Sequence, residues 1–344
     1  MLRPGHLRGG GAYRLVFPLL FLLFQTSQVF AGAVPPENPV YAWQAPHASS
    51  SLLLSANKAG EMLFSVGERG HILRRANGKT DWLQSPVPTQ ALLTSISMID
   101  DRRGWAVGHD AIILHTSNGG SSWEKQFEAP DEQRPLMDVL FMDGDNGFAV
   151  GAYAYLLATE DGGRHWQPRV ANEEHDFHLN AIADADGKQL YIAVEAGYVY
   201  RSRDRGQTWD TLNPPYEGSF FDIATFKDRQ LIVVGLRGHA FLSNDEGEHW
   251  QQMKTGTQAS LNKVLRLQSG QALVAGHTGM LLLSNQNLSQ FFPYQFPDRK
   301  AISDVVELDN NRLLLVGEFG TKTVNLCSLF SSEQLPSCSG KSGQ

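Results

Sequence analysis

Cysteine is almost absent from this chain of 344 residues: there are two, Cys327 and Cys338, both within the last eighteen positions. That excludes a disulfide framework and a four-cysteine zinc site. In an exported protein it leaves one local bridge stapling the tail 327–344. Long apolar runs are equally scarce. The one candidate, LVFPLLFLLF at 15–24, is half the length needed to span a bilayer, roughly 20 residues. Arg3, Arg8 and Arg14 precede it and small residues follow in VFAGAV (29–34), the layout of a secretory signal peptide over 1–33, cut after Ala31 or Ala33. No cysteine stands at that cut to carry a lipid, and no membrane span is expected in the mature chain. An excess of positive charge is missing too. The formal charge is −7, and removing three arginines takes it to −10, which argues against nucleic acid or an anionic membrane as partner. Phosphate-cradling glycine loops, a nucleophile elbow and His-Glu-x-x-His are all lacking.

What is present is repetition. An apolar stretch ending in Val-Gly or a relative, a short tip and a second apolar stretch recur as FSVGERGHIL (64–73), WAVGHDAIIL (105–114), FAVGAYAYLL (148–157), IAVEAGYVY (192–200), IVVGLRGHAF (232–241), LVAGHTGMLL (273–282) and LLVGEFGTKT (314–323). The key position falls at 67, 108, 151, 194 (valine here), 235, 276 and 317, a period of 41 to 43 residues. Each copy carries four short strand-like runs separated by turn residues, the signature of a propeller blade. The fold expected is all-β: a seven-bladed β-propeller over 34–326 with four-stranded blades. The seventh copy lacks a fourth strand, whereas YAWQAP (41–46) reads as an orphan one. An N-terminal strand closing the ring in the last blade is therefore expected.

A second phrase, hydroxyl-x-Asp/Asn-x-Gly-x-x-Trp, occurs at TSNGGSSW (116–123), TEDGGRHW (159–166), SRDRGQTW (202–209) and SNDEGEHW (243–250). It falls between the third and fourth strands, on the face opposite the inter-blade connections. Asn118, Asp161, Asp204 and Asp245 can accept backbone N–H groups of their own turn. Glycine permits positive φ, and Trp123, Trp166, Trp209 and Trp250 can pack between blades. These are structural roles. RANGKTDW (75–82) and SNQNLSQF (284–291) depart from the pattern, so looser turns are expected there.

This phrase resembles the Asp box, or BNR repeat, of sialidases and many non-enzymatic propellers. Paired with seven Val-Gly hairpins behind a signal peptide, over roughly 38–326, the chain resembles the photosystem II stability/assembly factor family. The resemblance implies a non-catalytic propeller, without cofactor, in the periplasm or thylakoid lumen. It implies a protein client, a subunit of a membrane complex: photosystem II, or another envelope complex in a non-photosynthetic bacterium. A monomer is expected. The rivals are an Asp-box glycoside hydrolase and a glycan-binding lectin. Against the first, a sialidase needs an arginine cluster and an early Arg-Ile-Pro-like phrase, and 34–50 has no arginine.

Three groups of side chains remain as candidate sites. Arg69, Tyr153, Arg237 and Phe319 stand at hairpin tips, and mixed charge with aromatics suits protein recognition. Asp138, Asp222 and Asp304 each lie thirteen residues before the hairpin position, at the mouth of the central channel. They could bind a cation or a basic peptide; the simpler reading is that each caps a loop or holds the neighbouring blade. EEHDFH (173–178) has zinc-like spacing at His175 and His178, yet reads equally as a charged connecting loop. DGDNG (143–147) lacks the rest of a calcium loop and is read as a hairpin turn. No metal site is expected.

Overall fold

The computed structural model describes residues 40–338, apart from Asp228 and Asn310; the expected signal peptide lies outside the described residues. Seven sheets follow one another along the chain, each strand pairing antiparallel with the next in sequence. The second strand of each blade is sealed between neighbouring blades, and glycine, aliphatic and aromatic residues fill it. GFAVG (Gly147–Gly151) and LIVVG (Leu231–Gly235) are buried at every position. Burial on both faces accounts for continuous apolar runs where a half-exposed strand would alternate.

The glycine closing that strand has a steric reason. A Cβ at Gly67, Gly108, Gly151, Gly235, Gly276 or Gly317 would stand 2.1–2.3 Å from the carbonyl oxygen preceding the first strand. A single 3-10 turn follows in five blades and a plain turn in the third, and its second residue adopts left-handed backbone whatever its identity: Arg69, Asp110, Tyr153, Ala196, Arg237 and Thr278 have φ of 54–60°. The strain belongs to the scaffold and is not a mark of one blade.

The Asp-box turns are closed by side-chain hydrogen bonds. Asp204 accepts from the backbone N–H of Gln207 and Thr208 and from the hydroxyls of Ser202 and Thr208. Asp161 and Asp245 repeat this with His165 and His249, and Asn118 with Ser122. The histidines, donating from backbone and ring, hold the carboxyls of Asp161 and Asp245 down at about 2. Each anchor ring fills the slot between its own blade and the preceding one: Trp123 between blades one and two, Trp166 between two and three, Trp209 between three and four, Trp250 between four and five. Their buried indole N–H groups find no acceptor, so the rings act through shape. Phe291 serves equally in the sixth blade. That blade's turn lacks the box residues but is held all the same: Asn285 accepts from the N–H of Ser289 and Gln290, and Leu288 takes positive φ.

The seventh blade corrects one expectation. Among the described residues it has three strands, Ile302–Glu307, Arg312–Gly317 and Gly320–Asn325, and no N-terminal strand joins it. Residues 41–46 carry no strand. Their polar groups are satisfied on the first blade, where the Ala42 N–H donates to Val87 O and the Gln84 amide to Trp43 O. Trp43 stays 74% exposed. The slot a box tryptophan would fill is occupied by the C-terminal tail, whose Leu326, Phe330 and Leu335 are buried between blades six and seven. The Cys327–Cys338 disulfide staples that plug. The ring closes by packing of the first blade directly on the seventh, through Leu53, Leu63, Leu314 and Val316.

Candidate functional site

The first strand of every blade has a bulge at the hairpin end, and the residue after it lines the central channel. Around the ring these are Ser55, Ser95, Asp138, Ala181, Asp222, Lys263 and Asp304. The three aspartates therefore meet, but around a lysine. The Lys263 ammonium lies 3.6 Å from Asp222 and 3.8 Å from Asp304. Each carboxylate also stitches blades together. Asp304 accepts from Ser55 Oγ and Ala56 N in the first blade, and Asp222 from Val264 N in the sixth. Asp138 accepts from Ser95 Oγ behind it and Ile182 N ahead. Burial pushes Asp138 up and Asp222 to about 6, against the pull of Lys263. Burial works to lower Lys263, but the three carboxylates outweigh it and hold the ammonium above the ordinary lysine range. Lys263 occupies the same register, thirteen residues before Gly276, but a single lysine carries no repeat signal of its own. A search for recurring acids passes over the base that balances them.

The hairpin tips do not form one patch. Arg69 is on blade one and Arg237 on blade five, too far round the ring to clamp one carboxylate together. Phe319 is partly buried against the cluster between blades six and seven. Tyr153 is 55% exposed but packs edge-on to His178, with ring centroids 4.9 Å apart. His178 faces Glu195 at 3.2 Å, and the His175 ring lies among Phe177 and Tyr198. Among the described residues no group of three His, Cys, Asp or Glu is arranged to hold a metal ion.

What the structure does assemble is a depression across the tips and connections of blades three to five. Its main cavity, about 840 Å³, is lined by Tyr198, Pro214, Pro215, Tyr216, Glu217 and Arg237. Tyr216 is fixed as its floor: its hydroxyl donates to Leu236 O, and its ring stacks on His239 at 4.3 Å. A side lobe runs to Tyr153, Asp176 and Glu195, and another to Lys254 and Gln258.

Two stretches of the chain, 49–130 and 125–216, match the family described as photosynthesis system II assembly factor YCF48. The chain is a photosystem II assembly factor-like seven-bladed propeller. It is 35% identical over 68 residues to the chloroplastic photosystem II stability/assembly factor HCF136 of Oryza sativa subsp. japonica, a match spanning 18% of this chain and 16% of that protein. Only that small share of the curated relative's length is matched. Among solved structures it resembles YCF48 bound to D1 peptide, with TM-score 0.64 and 16% identity over 84% of this chain and 95% of the other. It is also similar to virginiamycin B lyase from Staphylococcus aureus, with TM-score 0.70 and 11% identity over 80% and 94%. At such identities the likeness is one of fold: an assembly factor and a lyase share this ring. Function has to be argued from the surface.

Proposed function

We propose that this protein is an exported, non-catalytic propeller that binds a protein client and assists assembly or stability of a membrane complex. The observation carrying the reading is the loop-face depression of blades three to five, where rigid aromatic rings and a guanidinium with no partner among the described residues share one open surface. Such surfaces suit protein recognition, in which aromatic and arginine side chains dominate the energy. The solved structure of YCF48 bound to D1 peptide, a ring of similar fold, supports the reading. The exposed tip residues Arg69, Tyr153 and Arg237 belong to this face, with Phe319 as a half-buried border. The periplasm, or a thylakoid lumen, is the compartment that fits the apolar leader and the disulfide, and the protein works as a monomer.

The test uses the mature protein as bait on detergent-solubilised native membranes, followed by mass spectrometry, beside a glycan hydrolysis assay. Reproducible recovery of subunits of one membrane complex is expected. Hydrolysis of a glycan, or recovery of no membrane protein, would overturn the reading.

A further inference from the structure

The loop-face depression is polarised. At one end stand Arg237 and Lys254, both exposed, with no ion pair or hydrogen bond among the described residues. At the other stand Asp176, Glu195 and Glu217, of which Glu195 alone is engaged, with His178. Arg237 and Glu217 line the same cavity yet do not pair with each other. Between them lies an uncharged floor of Tyr198, Pro214, Pro215 and Tyr216.

Resting on the client-binding reading above, we infer that this groove takes a short extended client segment of mixed charge: acidic over Arg237 and Lys254, apolar or proline-containing over Tyr198 and Tyr216, basic over Glu217, Asp176 and Glu195. Charge complementarity is what selects this occupant. Unpaired groups of both signs at the two ends match a polypeptide carrying both signs. A neutral glycan would leave both ends unsatisfied, and an anionic sugar would meet Arg237 and Lys254 and then a field of carboxylates. The floor is suited to an extended chain, since proline-rich or extended peptides dock on aromatic-lined grooves. The tip residues sit on a rigid hairpin in left-handed backbone, so Arg237 is presented with little ordering of its own backbone on binding.

The test places a photo-crosslinking side chain at Ala196, the tip residue between the two ends, and at Ser121 on the Asp-box face as control, in the full chain exposed to native membranes. Ala196 is expected to capture a client segment whose sequence has an acidic and a basic residue flanking an apolar one; Ser121 is expected to capture none. Arg237→Glu and Glu217→Lys, each with an unchanged melting temperature, should lower co-purification by at least about tenfold, the loss typical of a hot-spot group. Arg237→Gln should lose less than the reversal. Co-purification unaffected by both reversals, or a crosslinked segment of one charge sign, would overturn the groove while leaving client binding intact. Capture of glycan at Ala196 would overturn the occupant. Absence of any client from the unmodified bait would end this inference together with the reading it rests on.

Discussion

The fourth and seventh blades solve the same problem by different means. In the fourth, an Asp box joins the third strand to the fourth, Asp210–Leu212: Asp204 ties the turn and Trp209 fills the gap toward blade three. The buried third strand, Val199–Ser202, is covered. In the seventh the third strand, Gly320–Asn325, has no fourth strand paired to its outer edge among the described residues and is half exposed, and no box exists. Its gap is plugged by Phe330 on a tail that the disulfide folds back. A blade thus needs its inter-blade plug more than its fourth strand. The plug removes large apolar area from water, whereas the outermost strand adds hydrogen bonds that water could also satisfy.

That difference can be broken from either side. The largest effect is expected for Phe330→Ala and Trp166→Ala, each destabilising by about 3–5 kcal/mol as large-to-small changes in sealed slots. Trp166→Phe should cost less than about 1.5 kcal/mol, because the indole N–H has no partner to lose and Phe291 already serves in blade six. Chemical denaturation of the three variants tests this; a Phe330→Ala protein as stable as wild type would remove the tail from the ring.

Next comes the hub both blades share. Lys263→Met leaves buried carboxylates uncompensated and should cost about 3–5 kcal/mol at pH 7.5. Asp222 is already raised to about 6, so the native state resists its ionisation, and this penalty grows as pH rises from the unfolded carboxylate range through 6. The variant's deficit should therefore shrink as pH falls from 7.5 to 5, which melting curves across that range would read. A deficit independent of pH would point to lost packing instead.

Replacing both Cys327 and Cys338 with serine should cost about 3 kcal/mol by the loop-entropy estimate, an effect specific to the seventh blade. Hydrogen exchange localises it: faster exchange in 312–335 is expected, with blade four unaffected. Asp204→Ala is smaller, about 1 kcal/mol, since the carboxylate is partly exposed and its donors can turn to water. The depressed Asp161 and Asp245 contribute stability present above the unfolded carboxylate range and lost as pH falls toward about 2. Blades three and five should accordingly be first to exchange in acid, before the seventh. Smallest of all, deleting 40–46 should cost on the order of 1 kcal/mol, mainly buried Ala42 and its hydrogen bonds. Loss of the ring on that deletion would restore a closing role to the N-terminal segment.

The sequence by itself determined the period, the blade count and the positions of the hairpins and box turns. These are local matters: a glycine where a Cβ would strike a carbonyl, an aspartate that bonds its own turn, a tryptophan five residues further on. It also located the three channel aspartates, because register is preserved round a closed ring. Tertiary structure alone decided what those positions meet. Lys263 balances the aspartates only because blade six stands beside blades five and seven, and no spacing along the chain expresses that. Arg237 gained the cavity of Tyr198, Tyr216 and Glu217 around it, whereas Arg69, in the matching register, is left on the far side of the ring. Closure too was decided in space. The segment 41–46 and the tail could each be written beside the last blade, and the tail's buried Phe330 outweighed a strand whose hydrogen bonds the first blade could satisfy equally well.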